Sequence, residues 1–334
     1  MKPSITNAFY YVSLITKKGT VKYDITNVLL SLKISDSENE LATAISLSFV
    51  NAWIESANSH LTGLFTVGDV IQVQADTGEG KKTVGTFTVW ERHYESALKK
   101  VLSVTAYDSK LIYLQKSEDV RLYTKGKDTK TIISDICSAW GVQLEYKYST
   151  TTHKLKQWRG TKLSEMILEC LEDVRKKTGT KYVLYSDNGK LVISSRGQNQ
   201  TVYEFKGKEN VLSTASNITL EGVVTKVIIH SHSDEGVRSK LEATVTGDTS
   251  YGTLQSVIVR SENTALSDCK TEAEQAIKDA GKPFHTFVVN AKDIPWIKKG
   301  DKVKVVAGDM SGDYYVTSIV HEATDGTMSM EVER

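Results

Sequence analysis

The chain has 334 residues, 40% of them hydrophobic and 25% charged, with 42 Lys and Arg against 41 Asp and Glu. That length holds two or three domains with cores of their own. The charges are balanced and interspersed, which argues against a dedicated nucleic-acid binder or a polybasic membrane binder. No apolar run approaches the roughly 20 residues that a membrane-spanning helix needs.

The short apolar run Ala8–Ile15 carries two Tyr and a Ser and has no small-residue cleavage site after it. It reads as a first strand, not a signal peptide, and implies a protein made and kept in the cytoplasm. Strict alternation follows: Thr43, Ile45, Leu47 and Phe49 share one face of "TAISLSFV", the period of a half-buried strand. "DVIQVQA", "GTFTVWERHY" and "KVLSVTAY" continue the pattern, and only three Pro interrupt the chain. Strands at this spacing predict a β-sandwich or barrel.

The period changes after Tyr107. Asp128 is a candidate N-cap for a helix with Ile132, Ile133, Ile136 and Trp140 on one side and Gly141 at its end. A strand-like "VQLEYKY" follows. A second helix, Thr161–Gly179, leads to a hairpin whose Asp187-Asn188-Gly189 turn is a strong signal. Residues 111–198 therefore predict a small α+β domain. Strands resume near Thr201. One more helix, near 264–281, places Leu266, Cys269, Ala273, Ile277 and Ala280 on one stripe. The last strand alternates Met328, Met330 and Val332 with polar residues.

Near its end the chain repeats itself. "TVGDVIQVQA" (66–75) and "KKGDKVKVVA" (298–307) both open a strand with Gly-Asp, at Gly68-Asp69 and Gly300-Asp301. In each case another Gly, Gly85 or Gly312, starts the next strand, and a further turn leads to a third. Gly supplies the positive φ of a tight turn and Asp bonds its backbone. The shared order of three strands predicts a duplicated β-domain. The expected fold class is mainly β with an α+β insertion: two related β-barrel domains plus a small α+β domain. The boundaries are 1–110, with 199–222 as a segment that could complete that barrel; 111–198; and 199–334 for the second barrel.

Candidate chemical sites are few. His230, His232 and Asp234 in "HSHSD" fall on one strand face, a geometry a metal could use; a solvated strand end is the plainer reading, and no metal or cofactor is expected. Cys137, Cys170 and Cys269 sit among apolar residues in helical patterns and read as buried thiols rather than nucleophiles. Glu169, Glu172 and Asp173, with Arg175 and Lys176, read as a charged helix surface. Trp53, Trp158, Pro295 and Trp296 lie in or beside loop-like segments and are candidate interface anchors, or plugs at a barrel end.

"FTVGDVIQVQA", "GTFTVWERHY", "DTKTIISDICSAWGV" and above all "IPWIKKGDKVKVVAG" with "DYYVTSIVHEATDGTMSMEVE" resemble the XkdQ/YqbQ-type phage tail proteins of the defective-prophage PBSX kind. That family is grouped with late control protein D, the hub proteins of contractile tails and the N-terminal part of type VI secretion spike proteins. The resemblance implies a non-enzymatic baseplate hub of a phage, prophage or bacteriocin tail. Three chains would set six similar barrels between a sixfold tail tube and a threefold spike. Implied partners are the tail tube protein, the spike protein, other baseplate proteins and two further copies of this chain, with no sequence-specific nucleic acid and no membrane insertion. The protein would assemble in the bacterial cytoplasm and end in the particle. Two alternatives remain open: a particle-associated cell-wall hydrolase and a standalone ligand-binding β-module.

Overall fold

Alternation in the sequence becomes alternation in burial. Strand Ala44–Val50 buries Ile45, Leu47 and Phe49 and turns Ser46 and Val50 outward. The computed structural model describes residues 8–17, 21–96, 100–233, 236–262 and 264–334, and they form a mainly β protein. Its largest element is a thirteen-stranded sheet.

That sheet contains the same six-stranded arrangement twice. In the first repeat the spatial order is Leu29–Asp36, Ala44–Val50, Val101–Asp108, Lys82–Glu95, Val70–Asp76, Phe9–Ile15. In the second it is Val211–Thr219, Phe284–Lys292, Thr327–Glu333, Met310–Glu322, Lys302–Ala307, Tyr203–Lys206. Numbered along the chain, both run second, third, sixth, fifth, fourth, first. One difference is the first strand. Phe9–Ile15 lies antiparallel to Val70–Asp76, whereas Tyr203–Lys206 lies parallel to Lys302–Ala307.

The repeats are sewn together by the 13-residue strand Met310–Glu322. Its first half pairs with Lys302–Ala307, and its last four residues pair with the first repeat, Ile319 opposite Asp36 and Glu322 opposite Lys33. A core of Val12, Leu14, Ile45, Phe49, Ile71, Val73 and Leu102, all fully buried, fills the first repeat. Each such side chain contributes roughly 1.5–3 kcal/mol by leaving water.

Between the repeats lies the α+β domain. Helix Thr129–Ala139 starts on Asp128, whose Oδ1 accepts the Thr131 N–H at 3.0 Å. Helix Leu163–Thr178 closes on Gly179 in the left-handed conformation (φ 70°), as a helix C-terminus prefers. Both pack Ile132, Ile136, Met166, Ile167 and Leu171 into one core. The adjoining sheet is ordered Gln143–Lys147, Lys190–Ser195, Tyr182–Asp187. Its hairpin turns through Asn188 (φ 51°) and Gly189 (φ 77°), the two positive φ values of a type I′ turn.

Two boundary expectations change. Residues 203–219 pair with the C-terminal strands, so the 199–222 segment opens the second repeat and does not complete the first. The second repeat is itself interrupted: a compact unit, Ala215–Phe287, begins inside its second strand and ends inside its third. In it, strands Leu241–Thr246, Lys226–Ser231 and Gln255–Arg260 form a sheet, and helix Leu266–Ala280 packs Cys269 and Ala273 on Val227 and Ile229. The first repeat has only the turn 37–43 at that point, between its second and third strands. Helix 264–281 therefore belongs to an excursion from the second β-domain rather than to its sheet. Among the described residues, no helix is long and apolar enough to cross a membrane.

Candidate functional site

The repeated phrase folds into the same hydrogen-bonded turn twice. Gly68 (φ 90°) and Gly300 (φ 83°) occupy the left-handed region that favours glycine. Gly68 N donates to Val89 O at 2.8 Å and Val89 N returns to Asp69 O at 2.8 Å. Gly300 N donates to Val316 O at 2.7 Å and Val316 N returns to Asp301 O at 2.9 Å. The Asp69 carboxylate accepts from Thr66 N at 2.7 Å, and the Asp301 carboxylate from Lys298 N at 2.9 Å. Gly85 faces Val73 across the ladder as Gly312 faces Val305. The two long strands then bulge at the same place, between Val89 and Glu91 and between Val316 and Ser318. All six glycines and aspartates singled out in the sequence thus take equivalent positions.

The second strands of the repeats also correspond. Ser31 Oγ bonds Ser48 Oγ on the neighbouring strand, and Ser213 Oγ accepts from Asn290 Nδ2 at 2.8 Å in the same place. Local sequence agrees, since "NVLLS" ends at Ser31 and "NVLS" ends at Ser213.

The junction between the repeats is polar and buried. Lys299 Nζ lies 2.9 Å from Asp36 Oδ1, the side chains being 2% and 9% exposed. It also donates to the Ser37 and Glu40 carbonyls. Tyr10 OH donates to Asp293 Oδ2 at 2.5 Å, Asp293 Oδ1 lies 2.6 Å from His321 Nδ1, and His321 Nε2 donates to Ile297 O at 3.2 Å. Burial first, and then the Asp293 carboxylate, push the Tyr10 phenol far above its ordinary pKa. Arg196, one residue past the last strand of the α+β domain, bonds Glu38 of the first repeat and Glu333 of the second. Ion pairs taken from water in this way gain little net stability, because desolvation offsets most of their attraction.

A cavity of about 410 Å³ opens at the same junction, with Ile34, Asp36, Phe87, Asp108, Trp296 and His321 in its wall. Pro295 is buried there. Trp296 packs against the first repeat's core with Lys82 Nζ 5.7 Å from its ring. The sequence missed this cluster because Tyr10, Asp36, Asp293 and His321 are far apart in the chain and meet only through sheet pairing.

Other candidates lie elsewhere. Trp158 is buried, its Nε1 donating to Glu169 Oε2 at 2.6 Å, so it is a core residue of the α+β domain and not an exposed anchor. Trp53 is 51% exposed and stands edge-on to His60. Trp90, 40% exposed, carried no signal in the sequence, and Trp140, expected on the apolar side of its helix, is instead the C-cap of Thr129–Ala139 and 39% exposed. Glu169 and Asp173 do more than solvate a helix. Asp173 takes His153 Nδ1 at 2.9 Å and Lys156 at 2.8 Å. Burial would raise the Asp173 pKa, yet those two partners hold it at about 2. Glu172 pairs with Arg175 at 2.6 Å.

Cys137, Cys170 and Cys269 are buried, and burial pushes the first two thiols up to about 12, the opposite of an activated nucleophile. His230 Nδ1 meets Ser239 Oγ at 2.9 Å. His232 is exposed just past the strand end, and Asp234 lies outside the described residues. Among the described residues, no three His, Cys, Asp or Glu side chains gather as a metal site would need.

Prophage tail proteins of known structure share this fold. The 43 kDa tail protein of prophage MuSo2 from Shewanella oneidensis matches it with a TM-score of 0.70 at 16% identity, over 97% of this chain and 98% of its own. The E. coli c3393 protein is described as a type VI secretion component similar in structure to the T4 tail proteins gp27 and gp5. It matches with a TM-score of 0.55 at 9% identity, over 91% of this chain and 73% of its own. The chain belongs to the YQBQ-like family, whose model matches residues 35–333. The phage-like element PBSX protein XkdQ of Bacillus subtilis (strain 168) is 23% identical over 239 residues, 69% of this chain and 73% of its own length.

Proposed function

We propose that the chain is a structural hub of a phage-type tail, the piece that joins a sixfold tube to a threefold spike. The observation that carries this reading is the duplication. Two β-domains of one strand order, with matching turns, glycines and bulges, lie side by side in one sheet. Three copies around an axis then present six similar units to a sixfold tube and three identical chains to a spike. A monomer with two like halves is a direct way to match those symmetries. Membership of the YQBQ-like family and the shared fold of prophage tail and type VI secretion proteins support the same reading.

The role is mechanical in this proposal. Buried, paired charges at the junction hold the two halves in one register, so the ring keeps its shape while its partners load it. Nearly balanced charge over the whole chain suits a passage that lets a polymer through without gripping it.

The test is stoichiometric. Tail-like particles from the source bacterium are purified on a gradient, and this chain is quantified against the tube protein by mass spectrometry. About three copies per particle is the expected result. Its absence from every particle, with all of it soluble, would sink the proposal.

A further inference from the structure

The chain contains one repeat-to-repeat junction, and its internal symmetry specifies a second. Inside the chain, Ile319–Glu322 of the second repeat's long strand pairs with Asp36–Lys33 of the first repeat's second strand. The equivalent stretch of the first repeat's long strand is Arg92–Glu95, because His93 stands four residues past Val89 as Val320 stands four past Val316. Among the described residues Arg92–Glu95 pairs on one edge only, with Val101–Val104. Its other edge, occupied in the second repeat, pairs with no described strand. The equivalent of Leu29–Asp36 is Val211–Thr219, which ends the sheet with an edge that pairs with no strand among the described residues and is exposed along most of its length.

Resting on the hub reading, we infer that these two open edges belong to each other in neighbouring copies: Arg92–Glu95 of one chain pairs antiparallel with Ala215–Ile218 of the next. Ser31 corresponds to Ser213, so Ser35 corresponds to Asn217 and Asp36 to Ile218. The register follows: His93 faces Asn217 of the adjacent copy as Val320 faces Ser35, and Arg92 faces Ile218 as Ile319 faces Asp36. The interface is heterologous, head to tail, so repetition closes a ring rather than a twofold dimer.

Side chains fit this occupant. The buried Lys299–Asp36 pair guards the internal junction. Lys299 precedes Gly300, and the residue preceding Gly68 is Val67; Asp36 corresponds to Ile218. Val67 is 55% exposed and Ile218 is 65% exposed. An ion pair inside the chain is thus matched by two apolar residues at the position where two chains would meet. A second copy of this chain brings them together, and an open strand edge flanked by apolar side chains is otherwise an aggregation hazard.

The test is a disulfide across the proposed register. Ala323 N donates to Leu32 O at 2.8 Å, which makes Val320 opposite Ser35 a non-hydrogen-bonded pair. Such pairs have the short Cα separation that a disulfide accepts. The double variant His93→Cys/Asn217→Cys, expressed in the source bacterium and oxidised in purified particles, is expected to give a covalent trimer on a non-reducing gel. Either single variant is expected to give none. Three copies per particle without crosslinking would overturn this junction and leave the hub standing; absence of the chain from particles would overturn both. A second measurement covers a cysteine pair that disturbs assembly. Val67→Lys and Ile218→Asp are each expected to lower incorporation at least tenfold, and the double variant to restore it by rebuilding the ion pair of the internal junction. Incorporation unaffected by either charge would overturn the proposal.

Discussion

Lys299 lies against Asp36 across the seam between the two repeats, Nζ to Oδ1 at 2.9 Å, with its side chain 2% exposed. A cation so buried is held by its partner and by the Ser37 and Glu40 carbonyls, and removing it leaves a carboxylate with no counterion. Lys299→Met is therefore expected to destabilise the fold by about 3–5 kcal/mol. The double variant Lys299→Met/Asp36→Leu is expected to recover most of that loss, because the uncompensated charge goes with it. Urea midpoints for the three proteins check this; equal stability of the single and double variants would refute the coupling.

The two equivalent glycines allow backbone strain to be separated from crowding. Gly68 and Gly300 have φ of 90° and 83°, so alanine meets similar backbone strain at both, about 1–3 kcal/mol. Their surroundings differ. A Cβ on Gly68 would meet only the flexible Lys17 chain at 3.5 Å, whereas on Gly300 it would lie 2.4 Å from Val183 Cγ2. Gly300→Ala is expected to cost clearly more than Gly68→Ala in thermal unfolding, and Gly300→Ala/Val183→Ala to narrow that gap. A Gly68→Ala loss as large as that of Gly300→Ala would mean that φ alone decides.

Much of this was legible in the residues, and what was not has physical reasons. The Gly-Asp turns announce themselves because a left-handed φ and an Asp side chain bonding back to the turn are local requirements, written within four residues. The second strand of each repeat is a harder case. Leu29–Asp36 buries Leu32, Ile34 and Asp36, but Val211–Thr219 buries none of its residues, so no shared alternation links them. The compact unit that begins inside Val211–Thr219, Ala215–Phe287, therefore reads in sequence as part of the second barrel. Trp158 read as an anchor because its partner Glu169 sits on a helix face that looks solvated in sequence. The Tyr10, Asp293 and His321 cluster carries no local signal at all.

The cysteines give a direct check on packing. Burial raises the Cys137 and Cys170 thiols to about 12, so almost no thiolate exists at pH 8. In the folded protein, alkylation by iodoacetamide is expected to be slower than for an unfolded control by at least two orders of magnitude, and to quicken only as urea unfolds the chain. Rapid modification of either residue under native conditions, located by peptide mapping, would contradict the cores described.

Acid has two opposite effects in this fold, at two carboxylates. Burial, with the Asp36 charge adding to it, raises Asp301 to about 6 in spite of the Lys298 N–H and ammonium. Unfolded, the same group titrates near 4. Between those values the folded state holds more protons, so the slope of stability against pH is negative there. Asp301 thus makes the protein less stable as pH rises from about 4 to 6, by up to roughly 3 kcal/mol. Asp173, held at about 2, acts the other way. Its contribution is present above about pH 4 and is lost as pH falls through 2. Asn at position 301 keeps an oxygen for the Lys298 N–H but cannot ionise. Asp301→Asn is accordingly expected to match the wild type near pH 4, to exceed it near pH 7, and to flatten the slope between. Asp173→Asn should leave that window unchanged and lower stability throughout it. Urea titrations at half-unit pH steps separate the two, and a wild-type slope retained in Asp301→Asn would show that the buried turn carboxylate is not its source.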